Sequence, residues 1–329
     1  MRSTRLILPA LTMGFVVVAA PLPHGAVPAE AAPAPVTSQV VREVFSPDGT
    51  ISKVVAADPR SMRTKANLRV AATVETVQQT GSSDARFDLV FVGDGYTADE
   101  LPEFHDHVLS KWAELAAVEP FASYRQYFNV WQVNAVSIDS GVDDNPAGTD
   151  EKRTALDMGF WCKGTTPSTE RLLCVNEQEA NKYAALAPGA DQVIALGNTT
   201  KYGGAGGGVA TAAGGNAQAG QIVVHELGHS IGNLADEYYS PGTYTGAEPV
   251  EINASKLADG SKWARYLGQP TPDGGVVGVF EGARYYGTGL YRPTQNSIMR
   301  TLGRQYSVIG RDAMVEAFKA KIPELRGTP

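Results

Sequence analysis

The stretch QIVVHELGHS, Gln221–Ser230, constrains this chain more than any other. Its apolar run Ile222-Val223-Val224 reads as the buried opening of a helix, and residues four apart on a helix share one face. His225 and His229 therefore turn two imidazoles toward one point, with the Glu226 carboxylate beside them. Two neutral imidazoles at this spacing can share one divalent ion. Nitrogen donors favour zinc, and a neighbouring carboxylate can hold and deprotonate a water bound to it. The HExxH pattern thus points to one catalytic zinc ion, with His225 and His229 as ligands and Glu226 as general base.

A catalytic zinc site of this kind needs a third protein ligand. The 329 residues include five histidines: His24, His105, His107, His225 and His229. None follows His229. His105 and His107 lie in FHDHV on a helix that reads as exposed, so a carboxylate is the expected third ligand. Gly232 can supply a sharp helix-ending turn, and Asp236 and Glu237 come just after it. Asp236 is the first choice, because a short carboxylate on a tight return is the easier one to aim. Glu237 is the alternative, and otherwise a supporting or capping group.

Composition narrows the class further. A formal charge of −7 argues against a nucleic-acid partner. Two cysteines cannot build a Cys-only zinc site or an iron–sulfur cluster. Arg2 and Arg5, the apolar run Leu6–Ala20 and the small-x-small pattern Ala29-Glu30-Ala31 read as a cleaved signal peptide over residues 1–31. The expectation is a secreted monomer with no stable membrane association. In an exported chain, Cys162 and Cys174 are expected to form a local disulfide closing a surface loop.

Residues 32–85 read as an N-terminal β segment, or a cleaved pro-segment, with a linker. Within it, VREVFSPDGTISKVV forms two strands around the Pro47-Asp48-Gly49 turn. If it is a pro-segment, an acid such as Asp48 or Asp58 is the residue to block the metal. Residues 86–325 alternate strand and helix from FDLVFVGDG onward, an α/β pattern in one catalytic domain. Asp94 is placed to cap the helix after the first of these strands. Gly203–Gly215 lacks the Gly-Lys-Ser/Thr ending of a phosphate loop. Asp139, Asp143 and Asp144 read as a solvated acidic turn, with calcium as the weaker reading because the spacing is not that of an EF-hand.

HELGHSIGNLADEY resembles the metzincin-like zinc peptidases of the IgA peptidase family. DLVFVGDGYTADEL, FNVWQV with SIDSGVD, YGGAGG and NSIMR agree in order, so the resemblance runs from about Phe87 to Arg300. It implies an α+β zincin catalytic domain that hydrolyses peptide bonds in a protein or peptide substrate. It also implies that Met299 is the Met-turn residue beneath the metal, and that Gly206–Gly214 supplies an edge strand pairing with substrate. In the wider metzincin pattern the third ligand falls where this chain has Ala235, one residue before Asp236, which keeps the choice between Asp236 and Glu237 open. Tyr291, Arg292 and Tyr306 flank the Met-turn and are candidates to donate to an oxyanion. The rival readings are a zinc hydrolase of cell-wall peptide or amide bonds, and a non-catalytic binding protein on the same fold. Little lies outside the one catalytic domain, so the family name does not carry immunoglobulin over as a substrate.

Overall fold

In the computed structural model, which describes residues 39–58, 72–146 and 151–327, the first element is a hairpin. Its strands β1 (Gln39–Phe45) and β2 (Ile51–Ala57) pair antiparallel in a two-stranded sheet of their own. The Asp48 carboxylate closes the turn by accepting from Thr50 N at 2.9 Å, the local bond that makes Asp a turn residue. The signal-peptide expectation falls outside the described residues. No described helix is long and apolar enough to cross a membrane.

A six-stranded sheet follows. Its strands are β3 (Ala72–Gln78), β4 (Phe87–Asp94), β5 (Phe128–Ala135), β6 (Gln192–Gly197), β7 (Gly204–Ala205) and β8 (Ala210–Ala213), in the order β3-β5-β4-β6-β8-β7. The four inner strands run parallel, and both edge strands run antiparallel to their neighbours. Parallel strands are joined by crossovers that cover the sheet, so inner strands are buried on both faces. That is why β4 and β5 read as near-continuous apolar runs, and every residue of each is buried.

The two faces carry separate cores. Phe87, Leu89 and Phe91 pack with α1 (Leu101–Leu115), α4 (Gly220–Ser230) and α5 (Val308–Lys321). Val90 and Val92 point the other way, onto α3 (Glu177–Ala184) and the loop around Leu156–Phe160. A short helix, α2 (Phe121–Tyr124), precedes β5. Beyond α4 the chain builds a three-stranded sheet in the order β10-β11-β9, from β9 (Tyr239–Thr243), β10 (Phe280–Ala283) and β11 (Tyr285–Arg292). The domain is mixed α/β with a small N-terminal β segment.

Asp94, at the end of β4, does not cap a helix. Its carboxylate is buried and accepts from Leu156 N at 2.6 Å and Met158 N at 2.8 Å, pinning that loop over the sheet. The loop continues to a disulfide between Cys162 and Cys174, both buried against Val44 and Ala56 of the hairpin. The acidic turn spends its carboxylates on the same region. Asp139 pairs with Arg153 at 2.8 Å, Asp143 accepts from Lys152 N at 2.6 Å, and Asp144 meets Lys201 at 2.7 Å.

Burial raises the Asp94 carboxyl from 3.8 to about 6, against the two backbone N–H bonds that favour its charged form. Between those values the folded chain holds a proton that the unfolded chain has released, so this group's contribution falls as pH rises. Asp94→Asn cannot titrate. Its stability deficit relative to the wild type, measured by urea unfolding, is expected to be larger at pH 4 than at pH 7. An equal deficit at both would show that the carboxyl does not titrate in this window.

Candidate metal centre

Helix α4 is sunk in the core from Gly220 to Gly228, and its last turn opens into a cleft of about 400 Å³. Four side chains converge at the floor of that cleft: Glu43 from β1, His225 and His229 from α4, and Asp236 from the segment after it. The two imidazole Nε2 atoms are 3.1 Å apart. An Asp236 oxygen lies 3.4 Å from His225 Nε2 and 3.3 Å from His229 Nε2, and a Glu43 oxygen lies 3.2 and 3.5 Å from the same atoms.

Both rings are oriented from behind. His225 Nδ1 sits 2.9 Å from Ile298 O, and His229 Nδ1 sits 2.6 Å from Leu234 O. A carbonyl only accepts, so each Nδ1 carries the proton and each Nε2 turns a lone pair toward the shared point. Asp236 Oδ1 and Glu226 Oε1 are buried and have no hydrogen-bond donor. Lone pairs converging from two imidazoles and a carboxylate, with no protein donor between them, are the donor set of a cation site. These residues fit a metal ion.

The electrostatics agree. Burial opposes charging of the His225 ring, yet the Glu43 and Asp236 carboxylates raise it to about 10. His229 is likewise held well above its ordinary range against burial, chiefly by Asp236. Asp236 itself lies well below the ordinary carboxyl range, because the two rings outweigh its burial. The pocket therefore demands positive charge at its centre, which a bound cation supplies without protons.

The return of the chain after α4 sets this geometry. Asn233, not Gly232, takes the left-handed turn, at φ 46°, a conformation asparagine tolerates. Gly232 serves close packing: a Cβ there would meet Gly228 O at 2.9 Å and Met314 Cγ at 3.0 Å. Asn253 then clamps the returning strand, accepting from Ala235 N at 2.7 Å and donating to Ala235 O at 2.9 Å.

Asp236 and Glu237 part company at this point. Asp236 faces the imidazoles, with its second oxygen taking a 2.5 Å bond from Tyr285 Oη. Glu237 turns away into a buried polar nest, accepting from Asn253 at 3.0 Å and Ser297 at 2.8 Å. Its amide donates to Met299 O at 2.7 Å. Met299 is buried with its sulfur against Gly228 of α4. The loop at 297–299 thus supports both His225 and the Asp236 segment.

Glu226 lies on the cleft side, under the glycines before β8. A Cβ on Gly206 would fall 1.8 Å from a Glu226 oxygen, so only glycine leaves room for that carboxylate. Burial first, then the nearby Glu43, raises Glu226 to about 7, the histidines pulling the other way.

The oxyanion candidates are placed elsewhere. Tyr306 donates to Val224 O beneath α4, and Arg292 donates to Glu281 O and Gly282 O. The hydroxyls that do reach the cluster are those of Tyr285 and Tyr238, the latter donating to Glu43 at 2.6 Å. Neither Asp48 nor Asp58 belongs to the cluster; Glu43 does. Tyr238 ends the DEY motif and was the nearest sequence signal. Glu43 carried none beyond its place on a strand.

The sequence profile of the family described as IgA Peptidase M64 matches residues 75–274 and 272–318. The chain belongs to that family. It is therefore a peptidase by family, and three of the four cluster residues, His225, His229 and Asp236, lie inside the matched span. No curated protein matches the chain. The hairpin that supplies Glu43 lies before the matched residues.

The geometry separates the two acidic neighbours by experiment. Asp236→Ala is expected to weaken cobalt or zinc binding by more than the about 10–100-fold that loss of a supporting residue costs. Glu237→Ala is expected to stay within that range while losing about 1–3 kcal/mol of stability, from the donors it strands. Calorimetric metal titration and urea unfolding read the two effects, and reversed behaviour would reassign the ligand.

Proposed function

We propose that the chain is a secreted zinc-dependent endopeptidase, with His225, His229 and Asp236 holding the ion and Glu226 acting as general base. The observation that carries this reading is the pair of Nε2 atoms 3.1 Å apart, each fixed by a carbonyl behind it, with Asp236 at 3.3–3.4 Å. Ligand atoms arranged tetrahedrally about 2.0–2.1 Å from zinc stand about 3.3–3.4 Å apart. The three donor atoms stand 3.1–3.4 Å apart, close to that spacing. Met299 packs under the helix turn between the two histidines, consistent with a Met-turn role. The arginine-flanked apolar leader supports secretion.

Zinc bound at this centre supplies Lewis acidity toward the scissile carbonyl. The residues do the rest. Glu226, on the cleft side of the cluster, takes the proton of the attacking water and passes it to the leaving amine. Tyr238 Oη, which donates to a carboxylate oxygen at the cluster, is placed to donate to the carbonyl oxygen as it gains charge. The strand within Gly206–Gly214 is β8, an inner one, and the neighbouring edge strand β7 is bridged at Gly204 by Leu172, so the edge expected to pair with substrate is already paired.

Glu226→Gln is expected to keep one bound zinc and lower kcat on a denatured protein substrate by at least about 10²–10⁴-fold. Tyr238→Phe is expected to keep zinc and lower kcat by about 10²–10³-fold. Metal content by mass spectrometry and cleavage of a quenched-fluorescent casein check both. A Glu226→Gln variant with undiminished cleavage would sink the mechanism.

A further inference from the structure

The hairpin poses a problem for a working peptidase, because its Glu43 stands where a substrate oxygen must come. One Glu43 oxygen faces both imidazoles at 3.2 and 3.5 Å, and the other takes the Tyr238 hydroxyl at 2.6 Å. A carboxylate so held occupies both positions that a polarised carbonyl would use. Two residues along the same strand face, Phe45 packs edge-on against the His225 ring, with centroids 5.5 Å apart. Beside them Arg42 reaches into the cleft, donating to Gly206 O and lying 3.8 Å from Glu177. β1 also runs next to the β7 edge. One segment of the chain thus stands at the metal position and forms a wall of the cleft beside it.

From this we infer that the β1–β2 hairpin is a built-in blocking segment: Glu43 takes the fourth coordination position of the metal, and the cleft opens when the hairpin is cut away. The inference rests on the reading of the cluster as a metal centre. Three further observations support it.

The family match begins at residue 75, after the hairpin. The hairpin forms a sheet with no third strand, and a lone two-stranded hairpin is marginal in water. It is held by docking: Phe45 and Ile51 enter the main core, Leu302 N donates to Gly49 O at 3.0 Å, and Arg171 Nε donates to Phe45 O at 2.8 Å. Finally, residues 59–71 connect it to β3 and carry Arg60, Arg63, Lys65 and Arg69, side chains that trypsin-type proteases recognise. A cut there removes the tether. Glu43 then loses the high effective concentration that an intramolecular ligand enjoys.

The test uses the full-length chain loaded with cobalt(II), and acetohydroxamate as a probe of the open metal position. Wild type, Glu43→Gln, Glu43→Ala and wild type cut by limited trypsin and freed of its N-terminal fragment are titrated and followed by the cobalt visible spectrum. If the blocked state holds nine-tenths or more of the wild-type molecules, opening tightens the apparent Kd at least about tenfold. That tightening is expected in both variants and in the cut protein, together with a rise in casein cleavage. Glu43→Gln keeps the side-chain shape, and the cut protein keeps the wild-type sequence. Either therefore serves if Glu43→Ala fails to fold. An affinity unchanged in Glu43→Gln, or unchanged after the cut, overturns the proposal. Tightened binding with no cleavage in any form would uphold the block and instead defeat the endopeptidase reading.

Discussion

Two hydrogen bonds from imidazole Nδ1 atoms to backbone carbonyls hold this site together. They fix the ring tautomers, so both Nε2 lone pairs meet at 3.1 Å, and each carbonyl belongs to a segment that must itself be in place. Leu234 O belongs to the tight return after α4. Ile298 O belongs to a loop more than sixty residues further on, past the whole three-stranded sheet. The second loop is tied to the first by Glu237, whose amide bonds Met299 O and whose carboxylate takes Ser297. A buried carboxylate that reaches no metal position therefore acts as the bracket between the two supports. This is the outer-shell role that orients ligands, achieved here with an acid beside the one aimed at the cluster.

The same constraint explains why polar groups are tolerated so deep. A buried carboxylate is costly unless donors meet it. Glu237 has its donors, supplied by Asn253, Ser297 and Thr294. Asp236 and Glu226 each leave one oxygen without any. The contrast divides structural from functional acids within a dozen residues of chain. The Glu237 carboxyl is raised by burial yet satisfied, whereas Asp236 is driven down only by the imidazoles it faces.

Much of this was legible in the sequence, for a physical reason: it rests on local periodicity. HExxH announces the two histidines of the cluster because residues four apart share one face of a helix. β4 and β5 announce themselves as apolar runs because parallel inner strands are buried on both sides. What stayed hidden depends on long-range packing. The choice between Asp236 and Glu237 is made by Asn253 and Ser297, sixteen and sixty positions away. Gly232 looked like the turn residue, but Asn233 takes the positive φ. Asp94 looked like a helix cap, yet the loop at 156–158 claims both its oxygens. Tyr291, Arg292 and Tyr306 flank the motif in sequence, while Tyr238 and Tyr285 reach the cluster in space. Glu43, 182 positions from His225, was invisible to any local pattern.

That last residue changes how the acidic cluster is understood. A catalytic metal site keeps one position open for water and substrate, and on the proposed reading His225, His229 and Asp236, all within the matched span, leave such a position. Glu43 comes from before the matched span, and on the blocking reading one of its oxygens takes that position. Tyr238 serves both occupants with one hydroxyl. The hairpin is retained partly by its docking on the core and partly by contacts inside the cleft, where Glu43 meets the imidazoles and Arg42 meets Gly206 and Glu177. A lone hairpin of this kind is marginal by itself, so one that stays while it is tethered can leave once the tether is gone.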